Sequence, residues 1–163
     1  MKIRRATAHD EGRLALLVAG YRVELAEFRG QAASVTVAQA KSELADYGRR
    51  KLPIFVAESS SEKLAGYLVC RVEGKTVWAE SLFVMPQRRR KGVASALYAE
   101  AERLAGELGS DTVYNWVHPN NDAVIAFLAK RGYSVLNLVE LRRARQGEKP
   151  AGKISVGKQQ FDY

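Results

Sequence analysis

The run Val84-Met85-Pro86-Gln87-Arg88-Arg89-Arg90-Lys91-Gly92-Val93-Ala94 passes from an apolar stretch into four consecutive cations and then into small residues that open a long amphipathic segment. A strand-to-helix junction of this kind suits an anion. The first turn of a helix offers backbone N–H groups without intrahelical partners, at the positive end of the macrodipole. Gly92 and Ala94 carry nothing beyond Cβ to keep an anion off the backbone. Taken alone, the charge run also fits a solvated basic turn ahead of a surface helix. A second residue with chemical promise is Glu80, inside the otherwise apolar Val77-Trp78-Ala79-Glu80-Ser81-Leu82-Phe83. Burial without a partner would raise the pKa of such a carboxyl and make it a candidate general base. Strict strand alternation places it on one face with Trp78 and Leu82. The competing roles are a carboxylate paired with an arginine and one that binds a substrate ammonium.

These residues need a framework, and the chain has the length and composition for one. Its 163 residues, 47% hydrophobic and 27% charged, fit a single domain spanning 1–163 with one core. No apolar run approaches the length of a bilayer span. Met1-Lys2-Ile3-Arg4-Arg5 leads into a charged strand and helix instead of a leader, so a cytoplasmic protein is expected, with no membrane partner. The single cysteine, Cys70, lies in an apolar run and is expected to be a buried, inert thiol. No metal is expected. The formal net charge of +8 favours polyanionic partners without separating nucleic acid from a phosphorylated small molecule.

The pattern predicts a short edge strand over 3–6, then a helix from Thr7–Asp10 cap chemistry to about Phe28, with Leu14, Leu17, Val18, Tyr21 and Leu25 at helical spacing. A second helix is predicted from about Thr36 to Tyr47. Strands over 54–58, 64–72 and 76–84 follow, joined by Ser59-Ser60-Ser61-Glu62-Lys63 and Glu73-Gly74-Lys75, as an antiparallel meander. The segment Gly74-Lys75-Thr76 has the ending of a Walker A loop, but Val69 stands where its first glycine belongs and the segment joins two strands. A long helix over 91–108, stopped by Gly109, precedes a strand over 112–117, the loop His118-Pro119-Asn120-Asn121 and a short helix over 122–131 ended by Gly132. Final strands are predicted over 133–143 and 153–162.

This order, with Arg89-Arg90-Lys91-Gly92-Val93-Ala94 matching Arg/Gln-x-x-Gly-x-Gly/Ala after Val84-Met85-Pro86, resembles the GNAT superfamily of acetyl-CoA-dependent N-acetyltransferases. A second block, Asn121 to Tyr133, is similar to the family's Asn-led helix ending in Gly-Phe/Tyr. The resemblance covers nearly the whole chain and is sharpest over 76–133. It implies an α/β (α+β) single-domain fold: a central mixed, mostly antiparallel sheet of about seven strands, splayed in the middle and flanked by about four helices.

The resemblance also implies ligands and roles. Acetyl-CoA is the expected cosubstrate and a primary amine the acceptor, with direct transfer in a ternary complex. Its pyrophosphate would rest on the turn formed by Arg89, Arg90, Lys91, Gly92, Val93, Ala94 and Ser95, where charge-assisted contacts are worth about 1.5–3 kcal/mol each before desolvation. Its pantetheine arm would pair with the backbone of Leu82, Phe83 and Val84, whose side chains can still be ordinary core. A backbone N–H near Val84 would stabilise the developing oxyanion. Asn121 would contact the arm or serve only as an N-cap, and Lys130 would reach a phosphate or simply be a solvated helix lysine. Glu80 stands where many relatives have a glutamate that acts directly or through water. The family's tyrosine near the sulfur is Leu128 here, and Tyr98, Tyr114, Tyr133 and His118 are the remaining proton-donor candidates, none of them assigned.

Two other functions fit parts of the pattern. A nucleic-acid-binding module would draw on the net charge and on Arg142-Arg143-Ala144-Arg145, but no reading motif accompanies them, so no nucleic acid is expected. An acyl-CoA-binding sensor without turnover would draw on Leu128. Tyr21, Glu24, Glu27 and Phe28 offer a pocket for a cationic amine, or the core and solvent faces of an ordinary amphipathic helix. A homodimer is a possible assembly.

Overall fold

The structure is a computed structural model that describes residues 1–60, 63–150 and 152–163. The chain forms two compact units, Met1–Glu27 with Gln31–Trp116, and Phe28–Gly30 with Val117–Tyr163. The first contains β1 (Lys2–Arg5), α1 (Glu11–Glu27), α2 (Val37–Arg49), β2 (Ile54–Ser60), β3 (Lys63–Glu73), β4 (Thr76–Val84), α3 (Val93–Glu107) and β5 (Val113–Asn115). The second contains α4 (Asp122–Lys130), β6 (Lys153–Val156) and β7 (Gln159–Asp162).

In the first unit five strands form a sheet in the order β1-β2-β3-β4-β5, antiparallel except for the parallel β4–β5 pair. Leu14, Leu17, Val18, Leu44 and Tyr47 from α1 and α2 pack with Val56, Tyr67, Val69 and Phe83 on one face. The other face is covered by α3, which buries Leu97, Tyr98, Ala101 and Leu104 over β2, β3 and β4. Removing such side chains from water contributes about 1.5–3 kcal/mol for each large aliphatic residue. Cys70 is fully buried in this sheet, and burial pushes its thiol up to about 12. No helix among the described residues is long and apolar enough to cross a membrane.

Local chemistry explains where the helices begin. Thr36 caps α2 by accepting from the Gln39 N–H at 3.2 Å, while Gln39 Oε1 accepts from the Thr36 N–H at 2.8 Å. Asp10 is fully buried ahead of α1 and accepts from both Arg4 Nη1 (2.7 Å) and Nη2 (2.9 Å), as well as from the Thr7 N–H (2.8 Å). The Arg4 hydrogen bonds, against the cost of burial, hold its carboxyl far below the usual carboxylate range. A carboxyl held down in the folded state stabilises the fold fully above its unfolded pKa of about 4, and that stabilisation is lost as pH falls below it. Asp10→Ala should therefore cost about 3 kcal/mol at neutral pH, at the low end for breaking a buried pair because Arg4 keeps Glu58. Urea titrations at pH 7 and pH 3 check this: the gap between variant and parent should narrow at the lower pH without closing, since the folded carboxyl stays ionised there.

The sheet departs from the expected count. Five strands form the main sheet, and the other two make a separate hairpin. Residues 133–143 form no strand, and 153–162 is folded on itself about Gly157, whose φ of 59° suits a tight turn. Ser61 and Glu62 of the connector expected at 59–63 lie outside the described residues. The splay in the sheet is present. Strand β5 runs beside β4 only at Val77, Trp78 and Ala79, so the part of β4 from Glu80 to Val84 has no strand neighbour on that edge.

Gly66 is needed beside that open segment. Across from Val84, a Cβ on residue 66 would lie 2.5 Å from the Phe83 carbonyl oxygen. Gly66→Ala is expected to lower stability by about 1–3 kcal/mol, measured by urea denaturation, because backbone must shift to relieve the clash.

Candidate active site

The open edge of β4 has defined polarity. The Met85 N–H donates to the Ala65 carbonyl at 2.9 Å, and the Phe83 carbonyl lies toward Gly66. Phe83 and Met85 thus turn their polar groups to β3, and alternation turns those of Leu82 and Val84 to the open side. The Val84 carbonyl accepts there from Arg89 Nε at 2.9 Å. Of the three residues expected to offer backbone, Leu82 and Val84 do so in this geometry, while Phe83 presents a buried ring toward α1.

From Val84 the chain passes through a 3₁₀ turn, Pro86–Arg88, and reaches α3 by two left-handed residues, Arg90 (φ 58°) and Gly92 (φ 77°). Gly92 is the N-cap and contributes no side chain; its carbonyl accepts from the Ala96 N–H at 3.0 Å. The N–H groups of Val93, Ala94 and Ser95 belong to the first turn and receive no cap from it. The first turn contains no acidic residue. Nothing lies within 4 Å of where a Gly92 Cβ would be, so the space before the helix is open. Arg90, Lys91, Gly92 and Ser95 are exposed. This is a fit for a phosphate oxygen: donors, dipole and cations without a blocking side chain.

Arg89 is committed in a way the charge run did not reveal. Beyond its bond to Val84, its Nη2 pairs with Glu24 of α1 at 2.5 Å and its guanidinium lies 5.6 Å from the Phe83 ring. Lys91 Nζ donates to the Gln87 carbonyl at 3.2 Å. A groove of about 440 Å³, lined by Gly20, Val23, Glu24, Glu27, Phe83, Pro86 and Arg89, runs beside this pair. Glu24 and Glu27 thus do line a cleft, and Tyr21 packs edge-on to Tyr67 and Phe83. A larger cavity of about 540 Å³, bounded by residues including Thr7, Glu11, Lys41 and Lys51, shares no residue with β4.

Glu80 sits on a β-bulge. The register steps from Val69↔Ser81 to Cys70↔Ala79, which leaves Glu80 unopposed. Bulges of this type re-aim a side chain and end regular pairing. The alternation expected to align Trp78, Glu80 and Leu82 is therefore broken: Ser81 and Phe83, not Leu82, share the α1/α2 face with Trp78. Glu80 is not an isolated carboxylate either, since its Oε2 accepts from Arg71 Nε at 3.0 Å. Arg71 also pairs with Glu73, and its guanidinium lies 4.9 Å from both the Trp78 and the Trp116 rings. Among the described residues, Arg71 Nη2 and Trp78 Nε1 are buried without a hydrogen-bond partner. Leaving such donors unpaired costs about 1–3 kcal/mol each.

Beside the bulge, the Ser81 Oγ is 3.3 Å from Tyr47 Oη, which also bonds Glu43; Glu43 is held by Arg22 Nε (2.8 Å) and Nη2 (2.7 Å). Burial, then the Glu43 carboxylate, raises the Tyr47 phenol well above its ordinary value. Sequence reasoning missed Arg71, Tyr47 and Glu43. A signal existed for Arg71: counting back from the turn at Gly74 pairs it with Trp78, next to Glu80.

In the second unit Asn121 is the N-cap of α4, its Oδ1 accepting from the Val124 N–H at 3.2 Å. Lys130 is exposed in the last turn, and Leu128 is buried. His118 stacks on Phe28 with ring centroids 6.4 Å apart, and its Nδ1 accepts from the Asn120 N–H. Desolvation, then Arg29, lowers the His118 pKa. In the first unit, Tyr98 donates to Asn115 Oδ1 at 2.9 Å and Tyr114 lies against Trp78.

A family model described as acetyltransferase (GNAT) family matches residues 21–133. No curated protein matches the chain. Solved structures share its fold. A Bacillus halodurans protein is similar at 22% identity and TM-score 0.71, over 88% of this chain and 100% of its own. An aminoglycoside 6'-N-acetyltransferase from Acinetobacter haemolyticus is similar at 19% identity and TM-score 0.61, over 91% and 100%. Another aminoglycoside N-acetyltransferase, in complex with a CoA-S-monomethyl-acetylneamine bisubstrate analogue, is similar at 22% identity and TM-score 0.63, over 88% and 97%.

Proposed function

The chain belongs to the GNAT acetyltransferase family, and we propose that it is an N-acetyltransferase that moves an acetyl group from acetyl-CoA to a primary amine within a ternary complex. The observation that carries this reading is the continuity of an unpaired β4 edge with an uncapped helix N-terminus across a side-chain-free Gly92. One surface thereby offers peptide-like hydrogen bonding at Leu82 and Val84 and anion binding at Val93, Ala94 and Ser95. An extended amide arm attached to a pyrophosphate has this combination of needs. The aminoglycoside N-acetyltransferases and the CoA analogue among the similar structures support an amine acceptor and a CoA donor. We assign residues 1–163 to one domain, because the family match draws on both compact units.

Bound acetyl-CoA supplies an acetyl thioester at whose carbonyl carbon the C–N bond forms as the C–S bond breaks. Glu80 accepts the proton that the amine must lose, and Arg71 fixes the direction of its carboxylate. The Val84 N–H, on the open edge, donates to the oxygen on which charge develops. Arg90 and Lys91 meet phosphate from exposed positions, Lys91 by giving up its bond to the Gln87 carbonyl, and Arg89 does so by releasing Glu24. Phe83 contributes by packing, and Asn121 and Lys130 are assigned to the cosubstrate on the second motif alone. Holding both substrates on one rigid strand supplies much of the rate by orientation.

A second reading, an acyl-CoA-binding sensor, is favoured by the buried Leu128 at the motif position that carries tyrosine in relatives. Thermal shift with acetyl-CoA, run beside thiol release over a panel of amines, separates the two. The enzyme reading predicts stabilisation, about 2.7 kcal/mol at a ligand concentration of 100 Kd, together with amine-dependent thiol release. Stabilisation without release from any amine would support the sensor. Absence of stabilisation would contradict both.

A further inference from the structure

We propose that the acceptor is an α-amino carboxylate, whose carboxylate is read by Arg71 Nη2 and Trp78 Nε1 while its amine faces Glu80. This rests on the N-acetyltransferase reading and narrows its acceptor. Two of the buried unpartnered polar atoms among the described residues, Arg71 Nη2 and Trp78 Nε1, lie beside the bulge in β4. Arg71 and Trp78 are opposite one another in the β3–β4 register, and their side chains are stacked beside the bulge that carries Glu80. Both groups are donors only, so a ligand that brings hydrogen-bond acceptors can satisfy Nη2 and Nε1. The protein's own carboxylates are already spent: Glu80 takes Nε and Glu73 takes Nη1. A carboxylate presents two acceptor oxygens, one for each of these donors.

Charge and spacing point the same way. Arg71 and Glu80 form a compact plus–minus pair, with 3.0 Å between Nε and Oε2. An α-amino acid carries its own plus and minus on adjacent atoms of one carbon, in the complementary sense. An amine without a carboxylate would leave Nη2 and Nε1 without an acceptor. Trp116, just beyond β5, completes the layering over Arg71 from the outside and is 68% exposed, so it is the side chain that a ligand displaces to reach Nη2. Its ring and that of Trp78 then give the acceptor's side chain an apolar wall.

The chain has two tryptophans, and both touch Arg71, so fluorescence reports on this site directly. Thiol release is measured with L-phenylalanine against phenethylamine and with L-leucine against isoamylamine. The carboxylate form of each pair should show a kcat/KM higher by about 10–100-fold, as expected for a charge-assisted contact. Arg71→Gln should bring that ratio to near one, a change that loss of Glu80 alignment alone would not produce, since it would slow both members equally. Trp78→Phe, which keeps the ring and removes the donor, should narrow the ratio in the same direction. N-acetyl-L-leucine should alter tryptophan emission and N-acetylisoamylamine should not. Equal kcat/KM within each pair, or emission indifferent to the carboxylate, would overturn the inference while leaving N-acetylation standing. If no amine of either form is acetylated although acetyl-CoA binds, the enzymatic reading fails instead, and the emission titration alone decides whether the carboxylate site exists.

Discussion

Gly92→Glu is expected to abolish acetyl-CoA binding while leaving the fold assembled. The left-handed φ of 77° means any L-residue there is strained, by about 1–2 kcal/mol, so some loss of thermal stability belongs to the substitution itself. What separates glutamate from a mere backbone effect is the open space ahead of α3. A side chain at 92 meets no protein atom near its Cβ and projects into the region where the phosphates are assigned. A carboxylate there occupies that region and repels the anion it would hold. Gly92→Ala carries the same φ penalty without the charge or the reach, and should bind measurably if more weakly. Isothermal titration calorimetry of both variants, with circular dichroism as the folding control, reads the difference. Wild-type affinity in the glutamate variant would remove the turn from the binding surface.

The second large effect is expected from Glu80→Gln: a fall in kcat of about 10²- to 10⁴-fold, the usual contribution of a positioned base. Affinity for acetyl-CoA should hardly change, because the carboxylate is assigned to the acceptor side. The acid limb of the kcat/KM profile, where turnover falls as the base becomes protonated, should disappear with it. The alternative, in which Glu80 only partners Arg71, makes a different prediction. Glutamine would then cost stability by leaving the guanidinium less well paired, and the shape of the pH profile would persist. The profile is therefore the discriminating readout, and a stability change alone does not decide the role.

What was legible in the chain was what local rules determine. The Thr36 to Gln39 capping box marks the start of α2, and the meander follows from short polar connectors between apolar runs. The strand-to-helix junction at 84–95 was legible because a helix terminus needs no long-range information. The setting of Glu80 was less so. Alternation assumes a constant register, and the bulge at 69–70 against 79–81 breaks it, which only pairing with β3 can reveal. Its arginine partner was within reach through hairpin counting, but Arg71 reads locally as one cation in an apolar strand. The Arg89 to Glu24 pair spans 65 residues and leaves no local signature. Residues 133–143 illustrate the opposite error. Val135, Leu136, Leu138 and Leu141 have strand propensity, yet a strand exists only where another edge accepts its hydrogen bonds, and all four are exposed. The hairpin over 153–162 was readable from Gly157-Lys158, a two-residue turn between extended runs.

The central claim is that backbone donors at the open end of β4 and the first turn of α3 hold the cosubstrate. Amide hydrogen exchange resolved by residue, with and without acetyl-CoA, tests it without depending on turnover. Slowed exchange at Val84, Val93, Ala94 and Ser95 on adding acetyl-CoA is the predicted result. Unchanged exchange at these four amides, with protection appearing instead around the cavity bounded by Thr7, Lys41 and Lys51, would contradict it.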